Sequence, residues 1–186
     1  ADVVEDLEMK DIISFPFAAV FSAFGVLCAP RRYRYHQSIV AACPPGDAPH
    51  VQETKGLALE AINNAWLQLE ARARADFKQH GWNMQDANLS RAAYVRFTNQ
   101  LSDFEVLWDT PRLESIDDVD ELMKRFEHVY TTIYPEQAMY SEVGFQILEV
   151  ALTAEVATPK PVIPELMMAG KKPPSAAEKG ARQVYY

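Results

Sequence analysis

Hydrophobic positions along this chain recur with two different periods. From Tyr33 to Ala42 the period is two: Tyr33, Tyr35, Gln37, Ile39 and Ala41 share one face, and Arg34, His36, Ser38 and Val40 the other. That alternation predicts a half-buried strand. From Glu53 to His80 the spacing becomes helical. Ala58, Ile62, Ala65, Trp66, Leu69, Ala73 and Phe77 form a stripe with charged residues opposite it, and Gly81 supplies a stop. Alternation returns over Ser90–Thr98, with Ala93, Val95 and Phe97 against Ala92, Tyr94 and Arg96. It continues over Asp103–Trp108, with Phe104, Val106 and Trp108 against Asp103, Glu105 and Leu107. Asn99-Gln100 is a plausible turn, so these two runs predict a β-hairpin. Ser115 and Asp118 have capping-box spacing and open a second helix. Its stripe is Val119, Leu122, Met123, Phe126, Val129 or Tyr130, and Ile133, and Pro135 ends it. Glu142–Glu155 reads as a last strand, with Leu148, Val150 and Leu152 on one face and Val143, Phe145, Ile147 and Ala151 on the other.

The order is strand, helix, strand, strand, helix, strand. It predicts an α+β fold of the ferredoxin-like split βαβ type, an antiparallel four-stranded sheet with both helices on one face. The helices have apolar stripes to bury and the sheet has one face to cover.

The flanks differ from this middle. Glu5–Lys10 is charged, Asp11–Phe15 reads as a short strand, and Ser14–Leu27 is an apolar run whose Ala18–Leu27 part suits a buried helix ended by Pro30. The run falls short of the roughly 20 residues that cross a bilayer. A self-contained domain rarely opens on its most buried-looking segment, so the run is expected to end a domain whose earlier part lies outside this sequence. Beyond Thr158 the chain is rich in Pro and Lys, and it closes on the strand-like Gln183-Val184-Tyr185-Tyr186.

Composition narrows the function. The 186 residues are 48% hydrophobic, enough for one cored domain with appendages, and the net charge is −8. An acidic surface argues against a nucleic-acid partner. The one basic cluster, Arg31, Arg32 and Arg34, is expected to cap the C-terminal end of the preceding apolar segment. Cys28 and Cys43 make no disulfide framework, and the lack of a signal-peptide pattern predicts a reducing, cytoplasmic setting.

Candidate chemistry is sparse. His36, His50, His80 and His128 lack metal-ligand spacing, and the thiols have no CxxC pattern. The carboxylates of Glu114, Asp117, Asp118, Asp120 and Glu121 crowd a helix start, where they offset the dipole. No GxxxxGK[ST], GxGxxG or GxSxG occurs. The aromatics Tyr130, Tyr134, Tyr140 and Phe145 line a ligand pocket or, as helix-face aromatics more often do, pack in the core. The hairpin face with Tyr94, Arg96, Asp103 and Glu105 meets either solvent or another domain.

Five segments carry a family resemblance, in order along nearly the whole chain. Phe15-Pro16-Phe17-Ala18-Ala19-Val20-Phe21-Ser22-Ala23-Phe24-Gly25-Val26-Leu27 resembles the Pro…Ser-Ala-x-Gly segment of the hydantoinase A/5-oxoprolinase family. Arg32-Tyr33-Arg34-Tyr35 follows, as an aromatic and basic strand does in the large subunits of its acetone and acetophenone carboxylases. Phe97-Thr98-Asn99-Gln100-Leu101-Ser102-Asp103-Phe104-Glu105 is similar to their Tyr-Arg-Gly-Gln-x-x-x-Leu-Glu hairpin, with Asn99 where Gly is usual and Thr98 where Arg is usual. Lys160-Pro161-Val162-Ile163-Pro164 and Gly180-Ala181-Arg182-Gln183-Val184-Tyr185-Tyr186 resemble the Pro-rich linker and the strand after it.

The resemblance implies a part of an ATP-dependent subunit whose nucleotide module is similar to the actin/sugar-kinase/Hsp70 superfamily. In the ketone carboxylases it implies activation of ketone and bicarbonate by phosphorylation, with Mg-ATP and bicarbonate as requirements of the parent enzyme. The family's phosphate loops and Gly-Gly-Ala-Gly-Pro motif have no matching position here, so it assigns this chain no catalytic residue, cofactor or metal ligand. It implies that residues 1–30 end the nucleotide-binding module, 31–157 form an α+β accessory domain, and 158–186 are a linker and the first strand of a following domain. The expected role is scaffolding, substrate-channel closure or subunit contact. The expected partners are the rest of the same subunit and other large subunits of a hetero-oligomer, with no membrane or nucleic acid. The departures at Thr98 and Asn99 leave a hydantoinase/oxoprolinase-type ATP-dependent amide hydrolase as an alternative. A free-standing ferredoxin-like module that binds a ligand or partner through its sheet is another.

Overall fold

The computed structural model describes residues 17–163, 175, 180, 181 and 183. The chain divides into two units, one of residues 29–158 and one of the two flanks. In the flanking unit, a 3-10 turn at Ala18–Val20 leads into helix α1, Phe21–Cys28, and Phe17 stacks on Phe24 at 5.1 Å. The expected helix is there, but none of its residues is buried in this chain, and Val26 is 75% exposed. Residues 159–163 have no regular structure. The expected strand at Asp11–Phe15 and almost all of the closing Gln183–Tyr186 lie outside the described residues.

The larger unit runs β1 (Arg31–Cys43), α2 (Pro49–Gln79), β2 (Ala87–Phe97), β3 (Phe104–Trp108), α3 (Ile116–Thr131) and β4 (Phe145–Val156). The element order matches the periodicity. The sheet does not have the ferredoxin-like order. Its spatial order is β1-β4-β2-β3, with every neighbouring pair antiparallel. In a ferredoxin-like sheet the hairpin strand β3 would separate the parallel strands β1 and β2; here β4 separates them. Strand patterning alone is compatible with both orders. The centre goes to β4, buried at Val150, Ala151 and Leu152 in succession, whereas β1 and β3 take the edges. A strand with Arg31, Arg32, Arg34 and His36 in its first half suits an edge, where charge also discourages edge-to-edge pairing.

The boundaries follow local chemistry. Helix α2 starts at Pro49, earlier than expected, because Pro is favoured at the first helical position where its missing N–H costs nothing. It ends at a Schellman motif: Trp82 N–H donates to Phe77 O, Gly81 N–H donates to Lys78 O, and Gly81 has φ +70°. The Trp82 and Phe77 rings meet edge-to-face at 5.7 Å and seal the stop. At the start of α3, the Asp118 carboxylate accepts from the Ser115 and Glu114 N–H groups, the acidic half of the expected capping box. Asn99 holds φ +71° in the loop between β2 and β3, a left-handed conformation Asn tolerates and Gly favours.

The core lies between the sheet and α2 and α3. Trp66, Ile62, Leu69, Phe77, Val95, Phe97, Phe126, Ile147 and Leu152 are fully enclosed. The expected faces hold for β1, β2 and β3. They fail for β4, which starts at Phe145 rather than Glu142 and changes phase at Leu148. Tyr94 pairs with Glu149 but the next residue, Val95, pairs with Ile147, so Leu148 is an extra residue. This bulge brings Phe145 and Ile147 onto the same inward face as Val150, Leu152 and Ala154, and turns Ala151 to the other.

Candidate functional site

With α2 and α3 packed on the inward side, the opposite face of the sheet carries a polar network that crosses all four strands. It is built by register. Arg32 stands opposite Glu155, and its guanidinium donates to that carboxylate at 2.6 and 2.9 Å. Arg96 stands opposite Gln146 and donates to its side-chain oxygen at 3.0 and 3.2 Å. His36 Nδ1 lies 2.5 Å from Glu149. Arg34, on one edge strand, reaches across to Tyr94 Oη at 2.8 Å and to Glu105 on the other edge strand at 2.5 Å. Ala92 and Ala151 face each other across β2 and β4 in this region, and their small side chains leave room for that span.

The hydrogen bond to Glu105, followed by its charge, raises the Arg34 pKa against a smaller opposing effect of burial. Burial and then the Glu105 charge push the Tyr94 hydroxyl up, so it stays protonated at neutral pH. The basic cluster, expected to cap the preceding helix, is engaged within its own unit. Arg32 and Arg34 hold carboxylates of the sheet, and Arg31 lies 5.4 Å from the Trp82 ring. Each charged group of the network is matched to an opposite or polar one, an arrangement suited to surface recognition.

A second ionic cluster is internal. Glu70 of α2 accepts from Arg91 of β2 at 2.5 Å and from Arg112 at 2.7 and 3.1 Å, and Arg74 lies 4.0 Å away. Burial alone would raise the Glu70 carboxyl; the bonds and charges of Arg112 and Arg91 outweigh it and hold the pKa at about 2. Lys55, also buried, joins α2 to α3 through Asp120 at 2.6 Å.

The other candidates disperse. His80 is the C-cap of α2 and stacks on Trp82 at 4.9 Å; His50 is in the first turn of α2; His128 is exposed on α3. Among the described residues no three His, Cys, Asp or Glu side chains converge on a metal-sized site. Cys43 is buried, and its thiol is pushed up to about 12 chiefly by desolvation, so it is no nucleophile at neutral pH. The acidic group is divided between structural tasks: Asp118 caps α3, Asp120 holds Lys55 and Glu121 holds Arg125. Of the hairpin residues, Tyr94, Arg96 and Glu105 join the network, and Asp103 precedes β3. Of the aromatic set, Phe145 enters the core against Phe97 and Phe126, Tyr140 is exposed, and Tyr130 and Tyr134 line a cavity with Phe104. Glu149 and Glu155 escape a sequence reading, since only the pairing of β4 with β1 and β2 gives them partners.

A family model for the hydantoinase/oxoprolinase C-terminal domain matches residues 50–186. The chain belongs to this family. It is also 29% identical over 181 residues to the acetone carboxylase beta subunit of Xanthobacter autotrophicus (strain ATCC BAA-1158 / Py2), covering 97% of this chain and 25% of that protein. The chain therefore spans about a quarter of the length of this curated relative. A nucleotide-free acetone carboxylase structure superposes with a TM-score of 0.84 at 28% identity, over 98% of this chain and 25% of that one. An ATP-dependent caprolactamase from Pseudomonas jessenii superposes with a TM-score of 0.65 at 16% identity, over 85% of this chain and 21% of that one, a likeness of fold.

Proposed function

We propose that this chain is the C-terminal part of a subunit of an ATP-dependent ketone carboxylase of the acetone or acetophenone type, and that its role is structural and subunit-binding. The observation that carries the reading is the match of nearly the entire chain, both units included, to an acetone carboxylase subunit in sequence and in fold. ATP and bicarbonate chemistry then belongs to the three quarters of such a subunit that this chain does not cover, with Mg-ATP required by the parent enzyme and none of it held by the residues here. The four-strand polar network supplies a contact face, and the exposed Val20, Val26 and Leu27 of the helical flank supply an apolar one. Their partners are the rest of the same subunit and the other large subunits of a cytoplasmic hetero-oligomer.

The test is to isolate the natural polypeptide containing this sequence together with its co-purifying subunits. The complex is supplied with Mg-ATP, bicarbonate and acetone or acetophenone, and product is measured against a parallel assay with hydantoin, 5-oxoproline or caprolactam. Ketone-dependent ATP turnover with carboxylated product is expected. Turnover with a cyclic amide alone would move the chain to the amide-hydrolase branch, and ATP hydrolysis by the isolated 186-residue chain would overturn the structural role.

A further inference from the structure

The cluster around Glu70 holds more positive charge than its carboxylate neutralises. Arg91, Arg112 and Arg74 approach that one carboxylate to 2.5, 2.7 and 4.0 Å. Three guanidinium charges against one carboxylate leave two in excess, in a chain whose net charge is −8. The hydrogen bonds show the same surplus. A guanidinium carries five N–H donors. Among the described residues, that of Arg91 makes a single hydrogen bond, to Glu70, and its buried Nε has no partner. Arg112 donates to Glu70 and to the Pro111 carbonyl through its two terminal nitrogens. Arg74 comes no closer than 4.0 Å to the carboxylate.

Exposure grades the three arginines. Their side chains are 7% exposed at Arg91, 31% at Arg112 and 68% at Arg74. Arg91 is therefore the floor of the cluster, and Arg112 and Arg74 form a rim open to solvent. A buried guanidinium with unmade hydrogen bonds carries a desolvation cost that a second anion offsets. Guanidinium forks match the oxygens of carboxylate and phosphate groups, and an excess of two charges suits a dianion over a monoanion. Arg74 also lines a cavity of about 470 Å³ with Asn83, Met84, Gln85 and Leu89. Leu89 stands two residues before Arg91 in β2, so the two side chains share one face of the strand. The volume is that of a small-molecule site, roughly 300–1,000 Å³.

We propose that Arg74, Arg91 and Arg112 form a binding site for a doubly charged oxyanion of the phosphate class. Arg74 and Arg112 hold its oxygens at the rim, and the charge of Arg91 beneath them supplies the attraction. Glu70 stays bound to Arg91 and Arg112 and fixes their positions. The cavity beside Arg74 takes the organic body where the oxyanion is an ester. The site goes beyond the structural role proposed above and is independent of whether the parent enzyme acts on a ketone or a cyclic amide.

The full chain, with its arginine side chains isotope-labelled, is titrated with sodium phosphate and sodium sulfate, and with sodium acetate and sodium chloride at matched ionic strength, followed by NMR of the arginine Nε–Hε groups. The expected result is saturable shifts at Arg74, Arg91 and Arg112 for the two dianions, with affinity about tenfold or more above acetate and chloride, the ratio given by one additional charge-assisted hydrogen bond. Arg74→Ala is expected to lower dianion affinity by about the same factor. Arg72→Ala, on the same helix but outside the cluster, is expected to bind as the parent does. Both side chains lie at the surface, and an unchanged backbone amide spectrum verifies that the variants fold. A parallel titration with phenyl phosphate locates the source of the oxyanion. Tighter binding than inorganic phosphate, with shifts at Met84 and Leu89, supports a phosphorylated small molecule, and equal binding supports the free ion. Equal affinity for dianions and chloride, or equal effects of Arg74→Ala and Arg72→Ala, would overturn the site.

Discussion

Glu70 on the long helix and Arg91 on strand β2 form an ion pair of 2.5 Å that is buried at both ends, with the two residues 7% and 6% exposed. Arg112 closes on the same carboxylate from the loop after β3, so one charge joins a helix, a central strand and a loop. Removing it leaves two guanidinium groups without their anion. Glu70→Gln is therefore expected to destabilise the α+β unit by about 3–5 kcal/mol, measured by urea unfolding at pH 7.

The same pair makes a pH prediction. The Glu70 pKa falls from 4.5 to about 2 on folding, so the folded state binds the proton less well. Its contribution is complete above about pH 4.5 and fades as pH drops toward 2. The stability gap between the parent and Glu70→Gln should narrow across that window. A gap that stays constant from pH 6 to pH 2.5 would remove the carboxylate as its source.

Gly144 precedes β4 at φ +78°, and a Cβ there would stand 2.9 Å from the Cys43 carbonyl oxygen. Its own carbonyl accepts from Thr98 N–H at 2.9 Å, so it is held between the ends of β1 and β2. Gly144→Ala is expected to cost about 1–3 kcal/mol or more, from the strained conformation and the clash together. Gly56 lies within α2, with nothing near a built Cβ, and Gly56→Ala should stabilise by about 0.5–1 kcal/mol. Thermal unfolding of the two variants should move in opposite directions.

The two thiols should differ sharply in reactivity. Cys43 is 1% exposed with its pKa pushed up to about 12, while Cys28 is partly exposed. An Ellman titration at pH 8 should count one fast thiol in the native chain and two in denaturant. Two fast native thiols would show that the end of β1 opens readily.

Arg34 offers a separation of stability from assembly. Its bonds to Tyr94 and Glu105 are at the surface, where such pairs contribute about 0–1 kcal/mol. Arg34→Ala should leave the unfolding midpoint of the chain nearly unchanged. If the helix-free face binds other subunits, the same variant should weaken their co-purification; retained assembly would take this face out of the contact.

Most of the secondary structure was legible because helical and strand periods report which side chains face a core, and that is a local property. The stripe from Ala58 to Phe77 and the alternation at Ala93, Val95 and Phe97 are both buried as read. Local chemistry also revealed the Gly81 stop and the Asp118 cap. The polar network was legible only in pieces: Tyr94, Arg96 and Glu105 stood out as one face, with no indication of what met them.

What the sequence determined by itself was the set of elements, the faces each must bury and, through its resemblance, the family. The tertiary structure decided which strands became neighbours. Placing β4 between β1 and β2, with Leu148 as an extra residue, brought Glu155 to Arg32, Glu149 to His36, and Arg34 within reach of Glu105. Those partners are 71 to 123 residues apart in the chain. Periodicity within one strand contains no term for the register between two, because register is chosen by the packing of all the faces at once.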